Sequence, residues 1–439
     1  MANINSFYLY QKYEKRGDQP WIAVYPSVYS VDGDGTMPVV VKQLNDPNCS
    51  ETIYRTVTSD TFYCGGDFGY DKYVDVYTQT SSNGGEIWRT IETTPILVEE
   101  NSRDCGFVPH NYSQEYLTTT ALEDGNISWY YGSGGKSMKM YYSLDNGVTW
   151  NGGGTNVGVN VSSGDTVIWK GENTAGRFSS TCSFKVSGNP TSVKYNDNFS
   201  GQTDSGGFDE LFRFCTKLTE AYNLVLPSDS CSCSQMFEGC TSLFAAPKEL
   251  PAASGVYSYM FEGCTSLRIV PSVLPQTTIF GSCYEKMFKN CTSLVTAPQI
   301  AADNIKNASY DKLSAQRCCE SMFEGCTSLI TPPAELKPQD LSSSAYKNMF
   351  KGCTSLTTSP IIYATNLYQT HGCEGMFNGC TNLTQITCLA TNKYYDYDTT
   401  NWVDGVATNG TFIKAASMGD WSTGVNGIPS GWTVEDYSE

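Results

Sequence analysis

The eight letters MFEGCTSL begin at Met236, recur unchanged at Met260 and return at Met322, with close variants at Met287, Met349 and Met376. Aligned on their cysteines, the copies follow one another at intervals of 24, 27, 35, 27 and 27 residues. A weaker copy, LFRFCTKL, surrounds Cys215, 25 residues before the first cysteine of the series. A period of roughly 20–50 residues marks units that cannot bury an apolar face alone and bury it against their neighbours. Burying one Phe, one Met and one Leu per copy contributes roughly 1.5–3 kcal/mol per side chain, and only stacking provides that burial. The letters repeat because each copy is the floor for the next.

Within YSYMFEGCTSL, Tyr257, Met260, Phe261 and Cys264 stand at i, i+3, i+4 and i+7, the spacing of one helical face. The residue before the cysteine is Gly239, Gly263, Gly325, Gly352 or Gly379, and once Asn290. Both residue types tolerate left-handed backbone, so the column reads as a helix C-terminal cap. Ser282 and Ser344 stand where an N-cap would fall. The letters CTSL and the next few residues read as a strand ended by Pro247, Pro271, Pro298, Pro333 or Pro360. Each repeat is therefore expected to be a helix of one to two turns, a tight turn and a short strand. The fold class expected is mixed: N-terminal all-β modules, then an α/β leucine-rich-repeat-like solenoid of about seven repeats over 208–390.

The constant core columns are Phe237 and Cys240, Phe261 and Cys264, Phe288 and Cys291, Phe323 and Cys326, Phe350 and Cys353, and Phe377 and Cys380. After each motif leucine the next side chain is expected to face out. That makes Phe244, Arg268, Val295, Ile330, Thr357 and Thr384 the candidate binding face, varied letters against an unvarying core. The long interval between Cys291 and Cys326 lies in DNIKNASYDKLSAQRC and reads as a loop expansion on one face. Residues 391–439, with Trp402, Trp421 and Trp432, read as a non-repeating cap over the last strand edge.

The N-terminal part has another rhythm. KYVDVYTQTSSNGGEIW, from Lys72, and KMYYSLDNGVTW, from Lys139, are both alternating aromatic strands followed by a polar glycine turn and Trp. We read β modules over 1–50 and 51–112, a small Ig-like antiparallel sandwich over 113–200 and a linker over 201–207.

Eighteen cysteines suggest a disulfide scaffold, yet six of them fill one slot of the repeat, where a small apolar thiol packs. Pairs inside one repeat, such as Cys319 and Cys326, are seven residues apart, about 10.5 Å along a helix and beyond disulfide reach. Reduced thiols are the expected state, with bridges between neighbouring repeats as the alternative. A net charge of −17 repels a phosphate backbone, which argues against nucleic acid as a partner. No run of about 18 apolar residues occurs, so no membrane insertion is expected. The N-terminus MANINSFYLYQKYEKRGDQ lacks the apolar run of a signal peptide.

Several motifs invite chemistry, and each has a structural reading. SLDNGVTW (Ser143 to Trp150) fits an Asp-box, S-x-D-x-G-x-T-W, and SSNGGEIW (Ser81 to Trp88) fits it with Asn for Asp. The motif is familiar from sialidases, but its Asp caps a hairpin turn while its Trp packs beneath. VDGDGT (Val31 to Thr36) resembles a calcium loop, but an EF-hand starting at Asp32 needs Glu where Gln43 stands. Arg16 to Asp18 spells RGD, a three-letter chance match to an integrin ligand. His110 and His371 are the only histidines, and no zinc, nucleophile–base or phosphate-loop constellation forms. No enzyme and no cofactor is expected.

The repeat resembles the BspA-type leucine-rich repeat, F-x-x-C-x-x-L followed by a short strand and proline, here MFEGCTSLFAAP and MFKNCTSLVTAP. LYQKYEKRGDQPWIAVYPSVYSVDGDGTMP, EENSRDCGFVP, NDNFSGQTD and GIPSGWTV look like segments of structural proteins from crAss-like and related Bacteroidales phages. This resemblance implies a tail or head fibre or adhesin at the virion surface, assembled in the host cytoplasm without a signal peptide. Its N-terminal modules would join other virion proteins. Its solenoid would bind a host-surface or mucosal glycan or protein. The alternative is a purely structural head-fibre, capsid-decoration or tail-assembly component. A fibre is compatible with a homotrimer.

Overall fold

Backbone angles decide what each repeat is. In three successive copies φ is positive at Arg317, Ser321 and Gly325, then Ser344, Asn348 and Gly352, then His371, Gly375 and Gly379. A left-handed residue at every fourth position cannot occur in an α-helix. The computed structural model accordingly has a chain of tight turns where a helix was expected. It describes residues 112–438, apart from 132–138, 173–175, 201, 203–206, 228–231, 252–255, 280, 306–315, 366, 368–370, 392–395 and 420, together with strand backbone within 13–102.

The amide hydrogens of these turns alternate in destination. Met287 N–H closes a turn on the Tyr284 carbonyl (3.2 Å) and Lys289 N–H on Lys286 (3.1 Å). Between them, Phe288 N–H donates to Met322 O (2.9 Å) and Asn290 N–H to Glu324 O (2.8 Å), both one coil further on. A helix would have used every amide internally and left nothing to join the coils. A one-turn helix is also marginal in water, so the ladder of turns prevails. Ser282 and Ser344 are thus left-handed residues (φ 56° in both), not N-caps. The protein is mostly β with very little helix, and residues from about 208 form a solenoid of about six turns. The α/β leucine-rich-repeat expectation is corrected to this extent.

The chain divides into two compact units, Met1–Asn111 and Tyr112–Glu439. In the first, β1 (Tyr13–Glu14) pairs antiparallel with β2 (Ile22–Ala23). A five-stranded antiparallel sheet contains β3 (Val40–Lys42), β4 (Ile53–Thr58), β5 (Phe62–Gly65), β6 (Tyr70–Ser81) and β7 (Arg89–Ser102). The long β6 takes β4 and β5 end to end along one edge and β7 along the other.

The second unit opens with β8 (Leu117–Ala121), β9 (Gly125–Tyr130), β10 (Met140–Ser143), β11 (Asn151–Gly154), β12 (Asn156–Val161), β13 (Thr166–Gly171), β14 (Arg177–Ser180) and β15 (Phe184–Gly188). Alternation of the kind seen in β12, buried at every second residue, is what a half-buried strand requires. Two sheets result, β11-β10-β13-β8-β15-β16 and β12-β9-β14, where β16 is Leu218–Leu224. Trp169 of the first sheet meets Phe178 of the second edge to face at 5.1 Å. A single helical turn, α1 (Ser192–Tyr195), follows.

The pairing of β15 with β16 is parallel, and β16 already belongs to the first coil of the solenoid. The sandwich sheet therefore runs into the stack, and one hydrophobic core spans both. Phe212, Phe237, Phe261, Phe288, Phe323, Phe350 and Phe377 form a continuous column, with centroids 5.4–5.7 Å apart and planes within 12°. Phe178 of the sandwich extends the column at its start (5.3 Å) and Trp402 meets its end (6.2 Å). Such offset stacks add to the area that the rings bury.

The prolines do not end strands. Pro271, Pro298 and Pro333 lie buried between an isolated bridge residue and a second short strand, Pro247 lies buried two residues after the Ala245 bridge, and Pro360 sits inside the strand Thr358–Ile362. The strands after them are β17 (Val273–Leu274), β18 (Thr278–Ile279), β19 (Gln299–Ile300), β20 (Asn304–Ile305), β21 (Glu335–Leu336), β22 (Thr358–Ile362) and β23 (Gln385–Cys388), parallel from coil to coil. Beyond residue 391 the stack continues for one irregular coil. Gly405 (φ 75°) extends the glycine column, and β24 (Thr411–Lys414) and β25 (Thr433–Asp436) extend the parallel sheet. The Trp402 indole N–H donates to Gly427 O (2.7 Å) and that of Trp432 to Ala407 O (2.8 Å), and among the described residues β25 pairs with β24 alone.

Candidate functional site

The twelve core residues Phe237, Cys240, Phe261, Cys264, Phe288, Cys291, Phe323, Cys326, Phe350, Cys353, Phe377 and Cys380 are fully buried. Phe244, Arg268, Val295, Ile330, Thr357 and Thr384 are all exposed. They stack in register: Arg268 N–H donates to Phe244 O, Ile330 N–H to Val295 O and Thr384 N–H to Thr357 O, each at 2.9 Å. These bonds join the six residues as three pairs of neighbouring coils. Phe244, Val295 and Ile330 are 41%, 45% and 52% exposed, with Arg268 between the first and the other two. Beside them runs a threonine ladder, in which Thr265 Oγ1 donates to Thr241 O and Thr292 Oγ1 to Thr265 O, both at 3.3 Å.

The turn side carries charge. The residue after the first six column Phe is Arg213, Glu238, Glu262, Lys289, Glu324 and Lys351 in successive coils, and after Phe377 it is Asn378. Arg213 Nε lies 2.9 Å from Glu238, and Glu324 lies 3.0 Å from Lys289 and 3.7 Å from Lys351. Burial pushes the Glu324 carboxyl up, but the Ser321 hydroxyl and the two lysines outweigh it and hold the group below the usual range. Glu262 has no such pairing: burial dominates and, with Glu238 as a like-charged neighbour, raises it despite Lys289 and Lys286. Opposite charges therefore key coils to each other at Arg213–Glu238 and along Lys289–Glu324–Lys351, while Glu238 and Glu262 are like-charged neighbours.

The Asp-box turn is built as a turn. Ser143 Oγ (2.7 Å), the Thr149 amide (2.8 Å) and the Thr149 hydroxyl (2.6 Å) all donate to the Asp145 carboxylate. These bonds hold Asp145 down to about 2. Trp150 packs against Tyr116 (5.3 Å) and beneath the Lys170 ammonium (4.0 Å). Asp145 is therefore ionised near neutrality and acts as an acceptor that closes the turn. Among the described residues no group of three or more His, Cys, Asp or Glu side chains could hold a metal ion. No helix among them is long and apolar enough to cross a membrane. The RGD triplet, the Asp32 loop, residues 82–88, His110 and the inserted segment 306–315 lie outside the described residues. His371 is described, with Nδ1 2.6 Å from Glu374.

Sequence reasoning missed a concavity where the sandwich meets the first coils, lined by Tyr130, Tyr131, Arg177, Asp209, Glu210 and Gln235 among others. These residues come from four separated segments, and no motif joins them. The one local signal was the adjacent pair Tyr130–Tyr131 at a strand end.

Comparisons with known protein families, with curated proteins and with solved structures find no match for this chain.

Proposed function

We propose that this protein is a non-enzymatic surface component of a phage particle, and that its solenoid binds a host-surface or mucosal glycan or protein. The observation that carries the reading is the contrast between two sets of columns in one stack. Phe and Cys repeat without change inside, while Phe244, Arg268, Val295, Ile330, Thr357 and Thr384 differ on an exposed side where backbone bonds join them in pairs between coils. A preformed surface of this kind binds without the entropy cost of ordering a loop. The resemblance of NDNFSGQTD, GIPSGWTV and longer segments to Bacteroidales phage structural proteins supports the virion setting. Attachment to other virion proteins falls to the N-terminal modules, and a homotrimer suits a fibre.

The test is binding of the full chain to a glycan array and to host cells, beside a variant carrying Arg268→Ala with Ile330→Ser. The reading requires binding that the double variant loses at unchanged melting temperature. Binding that ignores both substitutions, or no binding to either target, sinks it.

A second reading, a structural component whose solenoid contacts other virion subunits, is favoured by Phe244, Val295 and Ile330. Half-exposed apolar side chains suit a protein partner better than a sugar. Electron microscopy of particles labelled at the C-terminus separates the two: a solenoid covered by neighbours supports the second, an outward one the first.

A further inference from the structure

At the foot of the solenoid lies a cleft of about 420 Å3, within the size range of small-molecule sites. One wall is the sandwich, with Tyr130 and Tyr131 at the end of β9 and Arg177 at the start of β14. The other is the first two coils, with Asp209, Glu210 and Gln235. The walls are fixed to each other. Phe178 N–H donates to Leu211 O (2.8 Å), Glu210 N–H donates to Ser234 O (3.1 Å), and the Phe178 ring stacks on Phe212 at 5.3 Å. At Gly176 a Cβ would stand 2.3 Å from the Trp129 ring, so the strand entering the cleft can pass only as glycine.

The polar groups divide into committed and available ones. Asp209 Oδ1 accepts from the Ser232 hydroxyl (2.6 Å) and the Ser234 amide (2.8 Å), and Glu210 Oε1 accepts from Arg213 (2.7 Å). Each carboxylate keeps its second oxygen for another donor. The Arg177 guanidinium lies over the Tyr130 ring at 5.2 Å and makes no ion pair among the described residues. The Tyr130 and Tyr131 hydroxyls likewise have no hydrogen-bond partner among them. The cleft therefore offers two aromatic rings, three sets of available donors and two partly free acceptors.

Charge narrows the ligand. One guanidinium and two carboxylates at fixed positions disfavour a phosphate or sulfate, and the chain's net charge of −17 adds to that. A cation meets Arg177. A purely apolar ligand would leave the polar groups without partners. A neutral molecule with an apolar face and a rim of hydroxyls satisfies rings, donors and acceptors together, and that is a pyranose. We propose that this cleft is a binding site for a neutral saccharide of one or two units. It is separate from the exposed column and independent of the reading given to that column.

The test is saturation-transfer NMR on the full chain with lactose, mannobiose and N,N'-diacetylchitobiose as neutral probes and N-acetylneuraminic acid as the anionic one. The expected result is transfer to at least one neutral probe, with affinity about tenfold lower in Tyr131→Ala and in Arg177→Gln, as loss of a ring face or a donor set gives. Val148→Ser, at the exposed turn before Trp150 and outside both the cleft and the column, should leave it unchanged. If Tyr131→Ala lowers the melting temperature, Arg177→Lys carries the test, since it keeps the charge but loses the planar group over Tyr130. No transfer to any neutral probe overturns the proposal, as does transfer that the cleft variants do not weaken. Transfer to N-acetylneuraminic acid alone overturns the neutral assignment. Loss through Ile330→Ser but not through the cleft variants moves binding to the column and overturns the cleft.

Discussion

The thiol of Cys326 donates to the carbonyl oxygen of Phe288, 3.1 Å away and one coil earlier. Cys264 does the same to Phe237, Cys291 to Phe261, Cys353 to Phe323 and Cys380 to Phe350. Each of these carbonyls also accepts the amide of the cysteine three residues on, so the thiol fills its second lone pair. The repeated cysteine is thus a packing residue that also joins coils, and all fourteen described cysteines are buried.

Buried thiols at this depth should be unreactive in the folded protein. Burial raises Cys326 to about 12 against a lowering backbone hydrogen bond at Cys291, so almost no thiolate exists at neutral pH. Titration with a disulfide reagent at pH 7.5 should label none of Cys240, Cys264, Cys291, Cys326, Cys353 or Cys380, and all of them in guanidinium chloride. Mass spectrometry that finds any of the six labelled in native protein would contradict the burial.

Alkali should unfold the protein early. Eleven thiols have raised pKa values in the fold, burial being the largest cause for each: Cys215, Cys240, Cys264, Cys291, Cys318, Cys319, Cys326, Cys353, Cys373, Cys380 and Cys388. A folded pKa above the unfolded value of 9.0 means the contribution is intact below pH 9 and is lost as pH rises towards the folded value. Each thiol ionised only in the unfolded chain costs about 1.4 kcal/mol per pH unit, and many act together. Circular dichroism should show a cooperative transition beginning between about pH 9 and 10.5. Native signal retained to pH 12 would refute this.

The core and face columns should respond oppositely to truncation. Phe323 is fully buried between Phe288 (5.6 Å) and Phe350 (5.4 Å), so Phe323→Ala should cost about 3–5 kcal/mol in denaturant unfolding. Ile330, seven residues on and half exposed, should tolerate Ile330→Thr within about 0.5 kcal/mol. Equal losses at the two positions would mean that the columns are misassigned.

The glycine before the cysteine answers to backbone in one coil and to space in another. Gly263 has φ 75° and nothing nearer than 3.8 Å to a built Cβ, so Gly263→Ala should cost about 1–2 kcal/mol from the left-handed backbone alone. Gly239 has φ 72° and the Phe214 ring 2.4 Å from the same point, because the first coil carries a side chain there. Gly239→Ala should cost more, and the excess should vanish in a Phe214→Ala background. A double-mutant cycle with no coupling energy would break the argument.

Stacking was legible because burial repeats with the letters: a Met-Phe pair, Cys and Leu recurring every 24 to 35 residues leave no other way to cover themselves. The left-handed column was legible too, since only Gly and Asn fill it in the six strong copies. What the letters could not distinguish was a helix from a run of turns. Tyr257, Met260, Phe261 and Cys264 share one face in either, and the choice rests on whether alternate amides find carbonyls in the next coil, which no single repeat contains. The same holds for the junction and its cleft. Tyr130, Arg177, Asp209 and Gln235 are brought together by a parallel pairing of β15 with β16, a contact that forms only once the sandwich sheet and the first coil have both folded. Local sequence sets which side chains must be hidden and which backbone angles are permitted. Partners for hydrogen bonds across coils are a property of the assembled stack.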